Sequence, residues 1–447
     1  MQVGVVSGQA GRGRRATAAV IGLAMAAGVT GCSDSGLTDG KEAVKLALSP
    51  GDGTGQLRPD STIGVQAQNG TIENVTVSTK GEDVEGSLSA DKKTWRSRWT
   101  LDPSTKYKVT VTALGLDGKT QTVTSKFATA KVKRSLETTV DAPSPKETVG
   151  VGMPIILSFD KEVSDRAAVE RALEVRSSKP VEGTWHWFND QRVVFRTKKY
   201  WPRHTNVSLR AHLSGVRFAN GVYGTDNQRI DFRVGDEHII KASENSHQMQ
   251  VRVNGKKRRD IPVSMGMGGA YKYITTNGDH LTMEKASPVI MDSSTVGCGP
   301  GCAGYYRQTV YSAVRISDSG EYVHSAPWSV GSQGNSNVSH GCVNVSPSNA
   351  RWFYDLVYRG DPVRITGTAR ELEPENGWGF WQLDYDDWVK GSALKQSLMV
   401  GPQGSSPVQA AAAAPTAPKA PAKTGGPVPD GGPSTSPSPG GNRPQAG

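Results

Sequence analysis

Between residues 44 and 130 apolar and polar positions alternate in short runs. Successive side chains of a strand face opposite ways, so such runs predict strands with one buried face. Asn69-Gly70 and Asp117-Gly118 punctuate them as turns. Short strands at regular spacing predict a β-sandwich of immunoglobulin type. Leu101-Asp102-Pro103 through Tyr107-Lys108-Val109 reads as the corner before a late strand, with Trp95 and Trp99 as core. The pattern returns over 131–236. There Tyr200-Trp201-Pro202 through Leu209 echoes the first corner, Pro202 standing where Pro103 stood. A short helix is predicted near Asp165 to Leu173, and Trp185, Trp187 and Trp201 read as core in preference to a sugar-binding set.

Residues 237–368 form a third unit, again mostly β. Gln250-Val251-Arg252-Val253 and Asp260-Ile261-Pro262-Val263 predict a hairpin around Asn254-Gly255. A strand is predicted over Ser339 to Asn344, then a helix that starts at Ser346-Pro347 and closes at Gly360. Residues 369–400 carry Trp378, Phe380, Trp381, Leu383 and Trp388, read as a brace on the third unit. Residues 401–447 are Ala, Pro, Gly and Ser with almost no large apolar residue, so no core is expected there. The expected fold is therefore mostly β: two tandem immunoglobulin-like sandwiches followed by a mostly-β catalytic domain.

The 447 residues carry a formal charge of +10 and a pI near 9.3, which suits an anionic membrane surface or wall polymer. No nucleic-acid-binding signature is present, and Lys256-Lys257-Arg258-Arg259 falls at a hairpin tip, so nucleic acid is not expected as a partner. Arg12, Arg14 and Arg15 precede an apolar run from Ala18 to Val29, too short to span a bilayer and typical of a signal peptide over 1–31. The run ends Val29-Thr30-Gly31-Cys32, which resembles a lipobox. Cys32 is the expected lipidation site, with 32–43 as a tether. Such a protein sits on the outer face of the cytoplasmic membrane, on the cell-wall side.

Cys298-Gly299-Pro300-Gly301-Cys302 holds two further cysteines, and an exported pair suits a disulfide. Two reduced thiols, or zinc held with His340 and Cys342, are the alternatives. The fourth cysteine lies in Ser339-His340-Gly341-Cys342-Val343-Asn344. In an extended strand His340, Cys342 and Asn344 share one face, which sets an imidazole beside a thiol and favours the reactive thiolate. Gly341 leaves room for a substrate carbonyl, and nearby backbone N–H groups suit an oxyanion.

The string His324-x14-Ser339-His340-Gly341-Cys342-Val343-Asn344 resembles the signature of the L,D-transpeptidases, cysteine enzymes that cross-link bacterial peptidoglycan. Val289 to Ser294, Val323 to Gly331 and Asn344 to Ala350 resemble the actinobacterial lipoprotein members, in which paired immunoglobulin-like domains also occur. The resemblance implies a two-step acyl transfer with no cofactor or metal. Cys342 is then the nucleophile and His340 its base, oriented by the Ser325 carbonyl, while His324 lines the site. Gly341 and Cys342 supply the oxyanion hole. Met291, Tyr306, Ser319, Gly320, Trp328, Asn337, Ser339 and Asn344 surround the substrate. The implied partners are two peptidoglycan stem peptides, a tetrapeptide donor that loses D-alanine and an acceptor amine, giving a 3→3 cross-link. Carbapenems are the implied inhibitors. An L,D-carboxypeptidase, a protein-to-wall ligase and a non-catalytic surface lipoprotein are the alternatives. The chain departs from the resembled members over Val296 to Tyr305, where the two-cysteine loop lies.

Overall fold

A computed structural model describes residues 42–81 and 84–408. The expected signal peptide, Cys32 and residues 409–447 lie outside them. In the first sandwich a sheet ordered Lys45–Ser49, Gly64–Gln68, Thr94–Ser97, Gly86–Leu88 faces a three-stranded sheet of Gly70–Ser78, Lys106–Gly115 and Thr120–Ala128. The predicted alternation is visible in Lys106–Gly115, where Tyr107, Val109, Val111 and Ala113 are buried between more exposed neighbours. The corner closes as Tyr107 Oη accepts from the Asp102 N–H at 2.7 Å.

Trp95 is core, as expected, but Trp99 is not. It lies at the boundary with the second sandwich and stacks on His212 at 3.9 Å. Beside it Arg98 pairs with the buried Glu174 at 2.6 Å, and Thr100 Oγ1 donates to the Ser214 carbonyl.

The second sandwich sets a four-stranded sheet of Thr148–Val149, Gln228–Val234, Asn206–Ala211 and Leu173–Ser177 against a six-stranded one. The predicted helix is present as Arg166–Ala172, capped by Asp165. Trp185, Trp187 and Trp201 are buried, which leaves no exposed face for a sugar. Two of the six strands come from the far end of the chain. Leu398–Gly401 pairs antiparallel with Val181–Asn189, and Gly404–Pro407 pairs with Leu398–Gly401. The ordered chain thus runs past the expected end at residue 400.

The extension touches the third unit as expected, with Gln382 Oε1 accepting from the Asp279 N–H at 2.7 Å, but its large rings pack elsewhere. Trp378, Phe380 and Trp388 join the core of the second sandwich, with Leu281 and Met283 of the third unit at its margin. Trp388 Nε1 donates to the Thr184 carbonyl, and its ring stacks on His186. The buried Glu170 carboxylate accepts from Trp187 Nε1, Ser392 Oγ and the Ala393 N–H. The apolar stripe was legible. What it packs against was not, because pairing partners are set by tertiary context.

In the third unit the six-stranded sheet runs Lys256–Pro262, Gln248–Val253, His238–Ser243, Pro362–Thr366, Thr276–Leu281, Arg370–Glu371. The hairpin turn at Asn254-Gly255 has both residues at positive φ, as its two-residue loop requires. A second sheet runs Lys285–Ala286, Ala313–Arg315, Tyr322–Ser325, Val343–Val345. The helix Pro347–Leu356, capped by Ser346, covers it and ends before Val357. Gly360 lies beyond the helix end, at a turn with φ of 88°. That turn meets the second sandwich: Gly152 N–H donates to the Gly360 carbonyl at 2.9 Å, and a Cβ on Gly360 would lie 2.8 Å from Met153 Cα.

If the extension belongs to the second core, Trp388→Ala should destabilise that unit by about 3–5 kcal/mol in urea unfolding. A loss below about 1 kcal/mol, the scale of a surface change, would refute that packing.

Candidate active site

Two short parallel strands build the centre. Tyr322–Ser325 and Val343–Val345 pair in register Val323 to Val343, His324 to Asn344 and Ser325 to Val345. Val323, Val343 and Val345 belong to the buried apolar core. Alternation then sends His324 and Asn344 to the opposite face. His324 thus lies opposite Asn344, and Cys342, one residue before Val343, stands beside Tyr322.

The predicted strand over Ser339 to Asn344 is shorter than expected. Gly341 has φ of 125°, and the strand begins only at Val343. This turn, not a regular pleat, carries His340, Gly341 and Cys342. Ser339 pins it: its Oγ donates to the Cys342 carbonyl at 2.6 Å and accepts from the Gly341 N–H at 3.1 Å. Thr275 Oγ1 donates to the Gly341 carbonyl at 2.8 Å. The Gly341 N–H is therefore engaged in the resting site, and an oxyanion must displace Ser339 to use it.

The two histidines exchange the positions expected of them. The Ser325 carbonyl lies 3.0 Å from Nδ1 of His324, not of His340. His324 is 3% exposed, and burial pushes its pKa down to about 4 against the opposing Ser325 hydrogen bond. This bond fixes the tautomer with the proton on Nδ1 and leaves Nε2 as an acceptor. His340 instead packs its ring against Tyr273 at 4.7 Å and Tyr306 at 4.9 Å. Burial, helped by the Lys272 charge, lowers its pKa.

Cys342 is buried and is the one free cysteine among the described residues. Its Sγ–H points to the Gly320 carbonyl at 3.7 Å. Burial pushes the thiol up to about 12, opposed by the Tyr322 backbone N–H and reinforced by the Glu321 carboxylate. The Cys342 thiol and the His324 imidazole are therefore both neutral at pH 7. The Glu321 carboxylate is itself buried and accepts from the Thr276 N–H at 2.7 Å.

Of the other expected residues, Tyr306 flanks His340, and burial pushes its pKa up to about 12. Gly320 faces the thiol, and Ser319 precedes it. Met291 sits half-buried on Val289–Asp292, which pairs with Arg307–Val310 as a lid hairpin. Trp328 is half exposed, with its ring 6.0 Å from His324. Asn337 and Asn344 are not turned to a substrate. Asn337 Oδ1 accepts from the Met265 N–H, and the buried Asn344 donates to Ser329 Oγ.

Cys298 and Cys302 bond to each other, which removes both thiolates from the alternative zinc set. The bridge closes the lid tip, where the buried Ser293 donates to the Cys298 carbonyl and accepts from the Tyr306 N–H. Sequence reasoning missed Tyr273, Thr275, Glu321 and Asn376. Only Glu321 had a signal, as the neighbour of Ser319-Gly320; the others reach the site through the fold.

A model of the bacterial Ig domain matches residues 54–217, and one of the L,D-transpeptidase catalytic domain matches 237–365. L,D-transpeptidase 2 of Mycobacterium tuberculosis (strain CDC 1551 / Oshkosh) is 39% identical over 352 residues, covering 78% of this chain and 85% of the relative. L,D-transpeptidase 5 of M. tuberculosis (strain ATCC 25618 / H37Rv) is 36% identical over 359 residues, covering 79% and 78%. A solved L,D-transpeptidase from Mycobacterium smegmatis is 35% identical, covers 52% of this chain and 99% of its own, and has a TM-score of 0.43.

A neutral resting thiol has a direct consequence. Alkylation of Cys342 by iodoacetamide should be slow at pH 7 and rise through pH 9 without an inflection near neutrality. An inflection between pH 5 and 7 would reveal a thiolate–imidazolium pair instead.

Proposed function

Because this chain belongs to the L,D-transpeptidase family, we propose that it joins two peptidoglycan stem peptides by a 3→3 cross-link, through a thioester on Cys342. The observation that supports the reading is His324, oriented by the Ser325 carbonyl on the strand that pairs with the one Cys342 leads into. His324 replaces His340 as the general base. An imidazole with one nitrogen fixed by an acceptor presents the other to a nucleophile, the arrangement that activates thiols and hydroxyls.

The donor carbonyl at position three of the stem is attacked by Sγ as the thiol proton passes to His324 Nε2. The neutral resting pair argues for transfer in step with C–S bond formation, not for a preformed thiolate. Collapse of the tetrahedral species breaks the bond to D-alanine, whose amine takes the proton from His324. The acceptor amine then attacks the thioester, gives its proton to His324, and releases Cys342 as the thiol. Tyr273, His340 and Tyr306 flank the mouth and position the stem. Met291, Trp328 and Gly320 offer it apolar and backbone contacts.

Muropeptide analysis with purified protein tests this. Cys342→Ala should abolish both D-alanine release and cross-linking. His324→Ala should lower the rate by about 10³-fold or more, as for loss of a general base combined with loss of nucleophile activation. His340→Ala should cost only about 10–100-fold, the scale of a mispositioned substrate. The reverse ranking would return the base role to His340. D-alanine release without a dimeric product would identify water as the acceptor.

We also infer that Cys32 carries a lipid that holds the protein at the outer face of the cytoplasmic membrane, on the basis of the lipobox-like Val29-Thr30-Gly31-Cys32. Cys32→Ala should move the protein from the detergent to the aqueous phase on partitioning, and unchanged partitioning would refute the anchor.

A further inference from the structure

The thiol is seated by a turn of three consecutive residues. Gly320 offers its carbonyl to Sγ and Tyr322 its backbone N–H, while the buried Glu321 between them turns its carboxylate to Thr276. Gly320 has φ of 94°, in the region where a side chain would strain the backbone. Such a turn holds its shape only if its neighbours hold it. One neighbour is internal: the Glu321 N–H donates to Ser317 Oγ at 3.2 Å.

A second is Thr276, whose N–H and hydroxyl both donate to the Glu321 carboxylate, and a third comes from beyond the catalytic domain. Asn376 accepts from the Ser319 N–H at 2.8 Å through Oδ1 and donates to Ser319 Oγ at 3.0 Å through Nδ2. One amide thus grips both the backbone and the side chain of the residue before Gly320. The same Nδ2 donates to Glu373 at 3.0 Å, which fixes the amide's orientation. The next residue, Gly377, lies so close to the turn that a Cβ on it would fall 3.1 Å from the Asp318 nitrogen. Trp378 and Phe380 follow, and both are buried in the core of the second sandwich.

We propose that Asn376 is a positioning residue for the transpeptidation: by clamping Ser319 it sets the Gly320–Tyr322 turn that seats the Cys342 thiol, and so makes the second immunoglobulin-like unit, through the C-terminal extension, part of the active site. The inference rests on Cys342 being the nucleophile. Glu321, Tyr306 and Tyr322 are the titratable groups whose charge acts on that thiol, and Asn376 adds no charge to them. Its effect is geometric.

The test uses the full chain and two readouts that a merely stabilising residue would not move in opposite directions. In Asn376→Ala, acylation of Cys342 by a carbapenem, followed by mass spectrometry, should slow by about 10–100-fold. Alkylation of Cys342 by iodoacetamide at pH 8 should quicken by about threefold or more, because a loosened turn lets water reach a thiol whose burial keeps it protonated. Asn376→Asp combined with Glu373→Gln still accepts from the Ser319 N–H without setting two carboxylates together, so it should fall between the wild type and Asn376→Ala in both readouts. Circular dichroism melting should confirm that both variants are folded. Unchanged acylation and alkylation in folded Asn376→Ala would overturn the inference, as would a parallel rise or fall of both rates. Absence of any carbapenem adduct on the wild-type protein would instead count against the nucleophile; the alkylation readout would then still decide whether Asn376 holds the thiol's seat.

Discussion

The parallel pairing of Tyr322–Ser325 with Val343–Val345 is the constraint on which the site depends. A parallel pair cannot be closed by a tight turn and needs a crossover. That crossover carries Trp328, Ser329 and Ser339, so the connection demanded by topology also supplies the walls of the cleft. Because Val323, Val343 and Val345 are committed to the core, a slip of one residue in either strand would bury a histidine or the thiol among valines. Register and chemistry are therefore fixed by the same apolar contacts.

Polar residues around the thiol divide between substrate and scaffold more unevenly than their positions along the chain suggest. Ser339, Asn337, Asn344 and Thr275 spend their hydrogen bonds on the backbone and on neighbouring side chains. This follows from burial: an amide or hydroxyl shut off from water must find an internal partner. What remains open to a ligand is the aromatic and glycine-lined rim of Tyr273, Tyr306, His340, Trp328 and Gly320. The lid follows the same logic, since its disulfide and Ser293 together fix the base of Tyr306 while its ring stays against His340.

How far the sequence could be read depended on whether a feature was local. Strand alternation, the Asn254-Gly255 hairpin, the Asp165-capped helix and the pairing of Cys298 with Cys302 all depend on residues close together in the chain, and all appear in the structure. The two ends of the signature, His324 and the stretch around Cys342, do fall on neighbouring strands. The geometry of that stretch was misread, because Gly341 takes a positive φ that breaks the expected alternation. The orienting role of Ser325 for His324 was hidden for a related reason: adjacent residues in a strand point apart, and only the carbonyl's direction brings them together. Asn376, Tyr273 and Trp99 carried no local signal, since each is defined by what lies far away in sequence.

The hairpin Leu398–Gly401 and Gly404–Pro407 has a bearing on how the protein comes to be folded at all. It completes a sheet whose other four strands span residues 138–197, so that sheet lacks two strands on one side until some two hundred further residues have been made. Until then Val181–Asn189 is a bare edge, open to pairing with any passing strand. The first sandwich draws its strands from a short stretch and can close as it emerges, whereas the second must wait for the end of the chain. Maturation thus runs out of order, with the middle of the molecule sealed last. A chain interrupted before residue 398 would keep one edge of its central sheet unprotected.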